Sequence, residues 1–295
     1  MPRLLLFPAH NKGSILIVSL WALTVLSILS LGLAGFVFQQ IKFSSFFIRQ
    51  TMSLPIAKAA YMRVFEDRKN DATAAYDSFN ELTGQNLGTL CDNPSYKYYF
   101  SERKNIDGKE KFIDEGALIN INLVSTDVLK RLAGLDENLA KNIIESTRRP
   151  FKRKEEVLLV EEITKDAYNK FKDLVTVYGA GKININTVSS EVLSALGLDE
   201  ELIDIIMRFR SEYKGEPDKE PGAFTSQAAI LSDLNNFSDL SLRQEQDLLS
   251  IMNSLSVKSE YLRLNIIPQV KGKDGIHYSI VIYPAANKTL AWSEQ

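Results

Sequence analysis

The sequence predicts an α+β protein with a long N-terminal helix that crosses a membrane, short strands, and a repeated helical unit. Three observations predict it. Residues 14–38 are almost uniformly apolar; strand-like runs occur near 95–122 and again from about 256; and a strand-helix-helix pattern that starts at Ile119 recurs at Ile183.

The apolar stretch comes first. No charged residue lies between Lys12 and Lys42. As a helix, Ser14 to Phe38 would be about 37 Å long, against a hydrocarbon core of about 30 Å. A core helix rarely tolerates apolarity on every face, so a membrane span is the reading. It exceeds the apolar part of an ordinary secretory signal, roughly 7–15 residues. A permanent anchor fits its length, and so does an anchor whose preceding segment is trimmed. The segment "MPRLLLFPAHNKG", residues 1–13, is a short basic leader ending in Gly13, a pattern similar to prepilin leaders. A cut after Gly13 would leave Ser14 as the new first residue. Arg3 and Lys12 before the span are matched by Lys42 and Arg49 after it, so positive charge does not set the orientation.

Helical periodicity continues past the span. Phe43, Phe46, Phe47, Ile48, Met52, Leu54, Ile56, Ala59, Ala60, Met62 and Val64 fit an amphipathic helix running to about Glu66, with Pro55 as the expected kink. After a polar stretch, "SYKYYFSER" and "KEKFIDEGALININ" read as strands around an Asp107-Gly108 turn, which predicts a hairpin.

The repeat follows. "ININLVSTDVLKRLAGLDENLAKNII" from Ile119 matches "ININTVSSEVLSALGLDEELIDII" from Ile183, with one deletion before Gly134 and Gly197. Each copy reads as a short extended piece and two helices joined at a glycine. Ser125 and Ser189 are candidate N-caps, with Asp127 and Glu191 in the first turn. Leu129, Leu132 and Leu135 pack one hairpin, as Leu193, Leu196 and Leu198 pack the other.

This helix-hairpin-helix (SAM-like) pattern raises a nucleic-acid reading, since hairpin glycines let backbone N–H groups approach a phosphate. Each hairpin here carries one glycine followed by carboxylates, Asp136-Glu137 and Asp199-Glu200-Glu201, which repel phosphate at close range. The basic run at Arg148 to Lys154 reads as a solvated loop. Other chemistry is sparse. The net charge is −2, the single Cys91 excludes an intramolecular disulfide, and the two histidines, His10 and His277, are far apart. No phosphate-binding loop, nucleophile elbow or zinc-protease motif is present, so an assembly component is expected rather than an enzyme. The acidic runs "DEE" and "GEPDKEPG" have no EF-hand spacing and read as solvated charge.

Four segments in order resemble one family, the K-type minor pseudopilins of type II secretion systems. They are "KGSILIVSLWALTVLSILSL", "FIDEGALININ", "PFKRKEEVLLVEEITKDAYNKFKDLVTVYG" leading to "KININTVSSEVLSAL", and "SVKSEYLRLNIIPQV" with "HYSIVIYPAANKTLAWSEQ". The resemblance implies a leader at 1–13 and an N-terminal helix at 14–66 with its span at about 14–38. A pilin-like domain at 67–122 is then interrupted by a helical insertion at 123–252 and completed by strands at 253–295, the distant strand groups pairing in one sheet. It also implies cleavage between Gly13 and Ser14 by a prepilin peptidase, which methylates the new amino terminus.

Most pilin-like subunits place a glutamate at the fifth mature position; here, as in K-type members, that position is Val18. A buried amine in lipid is costly, and a neighbour's carboxylate offsets that cost on assembly. A subunit without the carboxylate suits a filament end, where one assembly face stays unused. The implied location is the inner membrane, single-pass, with the soluble part in the periplasm. The implied partners are the I- and J-type minor pseudopilins, the secretion platform and the peptidase, with residues 14–48 as the packing surface. Some relatives bind calcium; no other cofactor is implied. The family usually has a glycine where this chain has Glu161-Glu162, so the local turn is expected to differ. The rival reading is a membrane-anchored DNA-binding protein of the DNA-uptake type.

Overall fold

The computed structural model describes residues 12–69, 73, 75–78, 96–100, 103–105, 108–110, 112–212 and 222–294. Most of the leader, His10, Cys91, Asp107 and residues 215–221 of the second acidic run lie outside the described residues. The chain divides into two units, Met1–Met52 and Ser53–Gln295.

The first unit is helical. It is the first part of α1, Lys12–Lys69, which continues through Pro55 without ending. Every large apolar side chain from Ile15 to Phe47 is exposed. This stretch is long and apolar enough to cross a membrane.

In the second unit, α1 buries one stripe: Ser53, Ile56, Ala57, Ala60, Val64 and Phe65. Those positions recur every three or four residues and so share a face. The periodicity predicted Ile56, Ala60 and Val64 correctly, whereas Leu54 and Met62 are exposed. The stripe meets the C-terminal part of the chain: Ser53 Oγ accepts the Ile276 N–H at 3.1 Å, and Tyr61 lies edge-on to Trp292 at 5.8 Å. A Cβ at Gly275 would stand 2.0 Å from Ser53 Oγ, so this approach requires glycine.

The sheet is antiparallel and centred on one strand. Its members are β1 (Tyr96–Phe100), β4 (Phe112–Asp114), β9 (Leu262–Val270), β10 (Lys273–Asp274), β11 (Tyr278–Tyr283) and β12 (Lys288–Glu294), and its main order is β1-β9-β11-β12. β9 carries β4 and then β1 along one edge, through Phe112↔Leu264 and Phe100↔Ile266, and β11 along the other, through Ile280↔Leu264. Strands from before and after the insertion thus pair in one sheet. Tyr98, Phe100 and Phe112 stack edge to face at 5.7 and 5.1 Å.

The predicted hairpin is present but shorter than the two runs read for it. The two flanking strands, β1 and β4, pair with β9 and not with each other. The hairpin between them, β2 (Arg103–Asn105) with β3 (Gly108–Glu110), closes through Asn105↔Gly108. Gly108 is therefore already in the strand.

The insertion is built from two closed repeats. The first runs from β5 (Ile119–Asn120) through α2 (Thr126–Leu129), α3 (Glu137–Glu145) and α4 (Lys165–Phe171) to β6 (Val175–Thr176). The second runs from β7 (Ile183–Asn184) through α5 (Ser190–Leu196), α6 (Glu200–Glu212), α7 (Ile230–Phe237) and α8 (Leu242–Ile251) to β8 (Leu255–Ser256). In each, the last strand pairs in parallel with the first: Ile119↔Val175 and Ile183↔Leu255. The boundaries at 123 and 252 therefore move to about 119 and 256, because β5 and β8 belong to the repeats and not to the sheet. One hydrophobic core runs through both repeats, with Leu129, Phe171, Leu193, Phe209 and Phe224 fully buried. Phe209 stacks on Phe224 at 4.3 Å.

Candidate functional site

Three regions carry functional weight: the apolar half of α1, the hairpins of the two repeats, and the junction between the repeats and the sheet.

Gly13 and Ser14 lie in the first turn of α1. Val18 follows one turn later and is 64% exposed. The apolar stretch carries its hydroxyls without needing a partner. Ser19 donates to the Leu16 carbonyl, Thr24 to Trp21 and Ser27 to Leu23, at 2.8–2.9 Å. Such back-bonding lets a hydroxyl sit in lipid, where an unmade hydrogen bond costs several kcal/mol. Beyond the uncharged stretch, Phe43, Phe46 and Phe47 remain exposed on a segment that also bears Lys42 and Arg49.

The hairpins are occupied by the chain itself. Gly134 and Gly197 both adopt positive φ, +85° and +102°. The next helix in each repeat is capped by a carboxylate: Asp136 accepts the Leu139 N–H and Asp199 accepts the Leu202 N–H, both at 2.8 Å. The space over each glycine is filled as well. A Cβ at Gly197 would stand 2.6 Å from Arg131 Nη1, and one at Gly134 would stand 3.0 Å from the Ala167 carbonyl oxygen. Arg131, on the first repeat, donates to the Ala195 carbonyl of the second at 3.2 Å. Each of these helix N-termini thus has an N–H bound by its own carboxylate, and the space over each glycine is filled. Of the two candidate N-cap serines, Ser189 accepts from Val192, while Ser125 makes no side-chain cap bond.

The repeated "ININ" has a purpose that its reading as a plain extended piece misses. Asn122 donates to the Phe151 carbonyl at 2.9 Å and accepts the Phe151 N–H at 2.7 Å. Asn186 does the same with Phe224, at 2.9 and 2.8 Å. The preceding asparagines, Asn120 and Asn184, fold their side chains back onto the N–H groups of Asn122 and Asn186. Each pair pins the start of a repeat to the loop after its second helix.

Two adjacent acids join the repeats to the sheet. Asp114 accepts from Thr187 and Asn184 of the second repeat and from Ser259, just before β9. Glu115 accepts from Thr176 of the first repeat and pairs with Arg263 of β9 at 2.5 Å. Asp77 pairs with Arg68 of α1 and accepts the Ser259 N–H at 2.7 Å. The sequence signal for this junction was an Asp-Glu pair inside an apolar strand, "FIDEGAL", whose charges find no obvious solvent. Among the described residues, no three His, Cys, Asp or Glu side chains converge to hold a metal ion.

Residues 114–176 match the helix-hairpin-helix motif family. That range is the first repeat with its entry from β4. Among solved structures, the chain is similar to one of the GspK-GspI-GspJ complex from the enterotoxigenic Escherichia coli type 2 secretion system. The identity is 14% and the TM-score 0.44, over 81% of this chain and 98% of that one. No curated protein matches the chain.

The left-handed turn at Glu162 belongs with these features. Its φ is +65°, a value that glycine tolerates and glutamate resists.

Proposed function

We propose that this chain is a minor pseudopilin of a type II secretion system, which initiates and caps the periplasmic filament that exports folded proteins. The observation that carries the reading is α1. One 58-residue helix combines an apolar stretch, exposed from Ile15 to Phe47, with a stripe from Ser53 to Phe65 that is buried in a domain built on an antiparallel sheet. An apolar surface of that length exceeds a bilayer of about 30 Å. The remainder is suited to packing against like helices.

In this reading the leader is removed after Gly13, Ser14 becomes the methylated first residue, and Val18 suits the filament end. The chain is single-pass in the inner membrane, with its sheet and repeats in the periplasm. Its partners are the I- and J-type minor pseudopilins, the secretion platform and the prepilin peptidase. The role is structural and involves no catalysis. The rival, a membrane-anchored DNA-binding protein, is opposed by the capped and filled hairpins.

The experiment is photocrosslinking in a cell that makes the partner subunits. A crosslinkable residue replaces Phe46 in one culture and exposed Leu249 in another. The expected result is crosslinking of pilin-like subunits from position 46 and not from 249. Lipid alone, or nothing, captured from 46 contradicts the reading.

A further inference from the structure

The sheet passes the chain to the insertion through residues 114–119 and takes it back through residues 256–262. Asp114 sits where these crossings meet. Its Oδ1 accepts the Gly116 N–H at 2.7 Å, and its Oδ2 accepts the Thr187 hydroxyl at 2.5 Å, the Asn184 amide at 3.2 Å and the Ser259 hydroxyl. Every one of these partners is uncharged. Glu115 next to it has Arg263; Asp114 has no ion-pair partner among the described residues. The charge nearest in this network is Asp77, of the same sign, and Arg68 is bound to Asp77.

We propose that Asp114 is a proton-dependent latch between the sheet and the second repeat, holding the insertion docked when neutral and loosening it when ionised.

A buried carboxylate with neutral partners beside a like charge is costly to ionise. Burial foremost, with Asp77 adding to it, pushes Asp114 up to about 6, against the opposing pull of its Ser259, Thr187 and Gly116 hydrogen bonds. The neutral form loses no contact. A protonated oxygen donates to the Thr187 or Ser259 hydroxyl, which rotates to accept. The Asn184 amide keeps the Ser259 Oγ at 2.8 Å and the Asp77 carbonyl at 3.3 Å. Protons reach the site from two sides. Asp114 and Thr187 line a cleft of about 680 Å³, whose other charged groups are Arg131, Lys170, Asp173, Glu191 and Glu200. Asp77 and Ser259 line a second, of about 540 Å³, with Arg68, Lys182, Lys258 and Glu260.

The sign follows from linkage. With the latch open, Asp114 titrates at its ordinary value of 3.8; with it closed, at about 6. The closed form therefore holds a proton that the open form has lost, and opening grows with pH between those values. The increase is about tenfold per pH unit, and it levels off above 6. This proposal does not rest on the filament role.

The test is native-state hydrogen exchange of the full chain in detergent from pH 4.5 to 7.5, corrected for intrinsic exchange. The amides of Asn186 and Val188 should open about tenfold more per unit up to pH 6 and then level off, while Ile121 of the first repeat stays flat. Asp114→Asn should flatten the profile. A flat wild-type profile, a slope of opposite sign, or an unchanged slope in D114N overturns the latch. Should D114N fail to fold, carbon NMR of the wild-type Asp114 carboxyl decides. A midpoint near 6 supports the proposal, and one below 4 overturns it.

Discussion

Asn122 and Asn186 hold Phe151 and Phe224 by the same two hydrogen bonds, one donated and one accepted, at the same place in the two repeats. An amide matched to a peptide group in this way replaces a strand pair where the chain has no strand. Asn186→Ala leaves a buried N–H and C=O of Phe224 with one partner fewer each. The expected loss is about 2 kcal/mol. Asn122→Ala should cost less, because Asn122 is only half-buried. Denaturant unfolding of the full chain in detergent measures both; equal stability of N186A and wild type would remove the clamp.

Glu162 is a site where the sequence works against its own fold. A left-handed conformation costs a non-glycine residue roughly 1–2 kcal/mol. Its side chain makes one long bond, accepting from Asn142 at 3.3 Å. Glu162→Gly should therefore raise stability by about 1 kcal/mol. Gly197→Ala should lower it by about as much or more, since the added Cβ meets Arg131 at φ +102°. A melt in which E162G is less stable than wild type would contradict the strain.

Duplex DNA separates the two functional readings. With Asp136 and Asp199 on the helix N-termini and Arg131 over Gly197, no binding that weakens steeply with salt is expected. Fluorescence anisotropy with a labelled duplex at low and moderate salt is the measurement. Tight, strongly salt-dependent binding would favour DNA uptake.

Val18 carries the end-of-filament assignment. Val18→Glu should still insert, because one carboxylate within a span costs about 3 kcal/mol against a long apolar stretch. It should disturb placement at the tip, read as altered secretion or filament length. Wild-type values for both would remove the role given to Val18.

How much of this was readable in the chain follows from distance along it. The long apolar helix was legible because apolarity without a break from Ser14 to Phe38 needs no tertiary context. The repeats were legible because "ININ" and the hairpin glycines recur in register. The packed stripe of α1 was only partly legible: Ser53 and Ala57 are buried, Ser53 against Gly275 and Ile276, and neither is strongly apolar. The partners of Asp114 were out of reach. Thr187 lies 73 residues away and Ser259 145 residues away, so the apolar setting of "FIDEGAL" could mark the acids as buried but not say what they bind. The turn at Glu162 was flagged only by the resemblance.

The most direct measurement is the mature N-terminus. The chain is expressed with and without a prepilin peptidase, and the membrane-bound product is sequenced. The account predicts a product beginning at Ser14 only when the peptidase is present, with the apolar helix retained. A chain left uncut, or cut beyond Phe38 and released from the membrane, would contradict it.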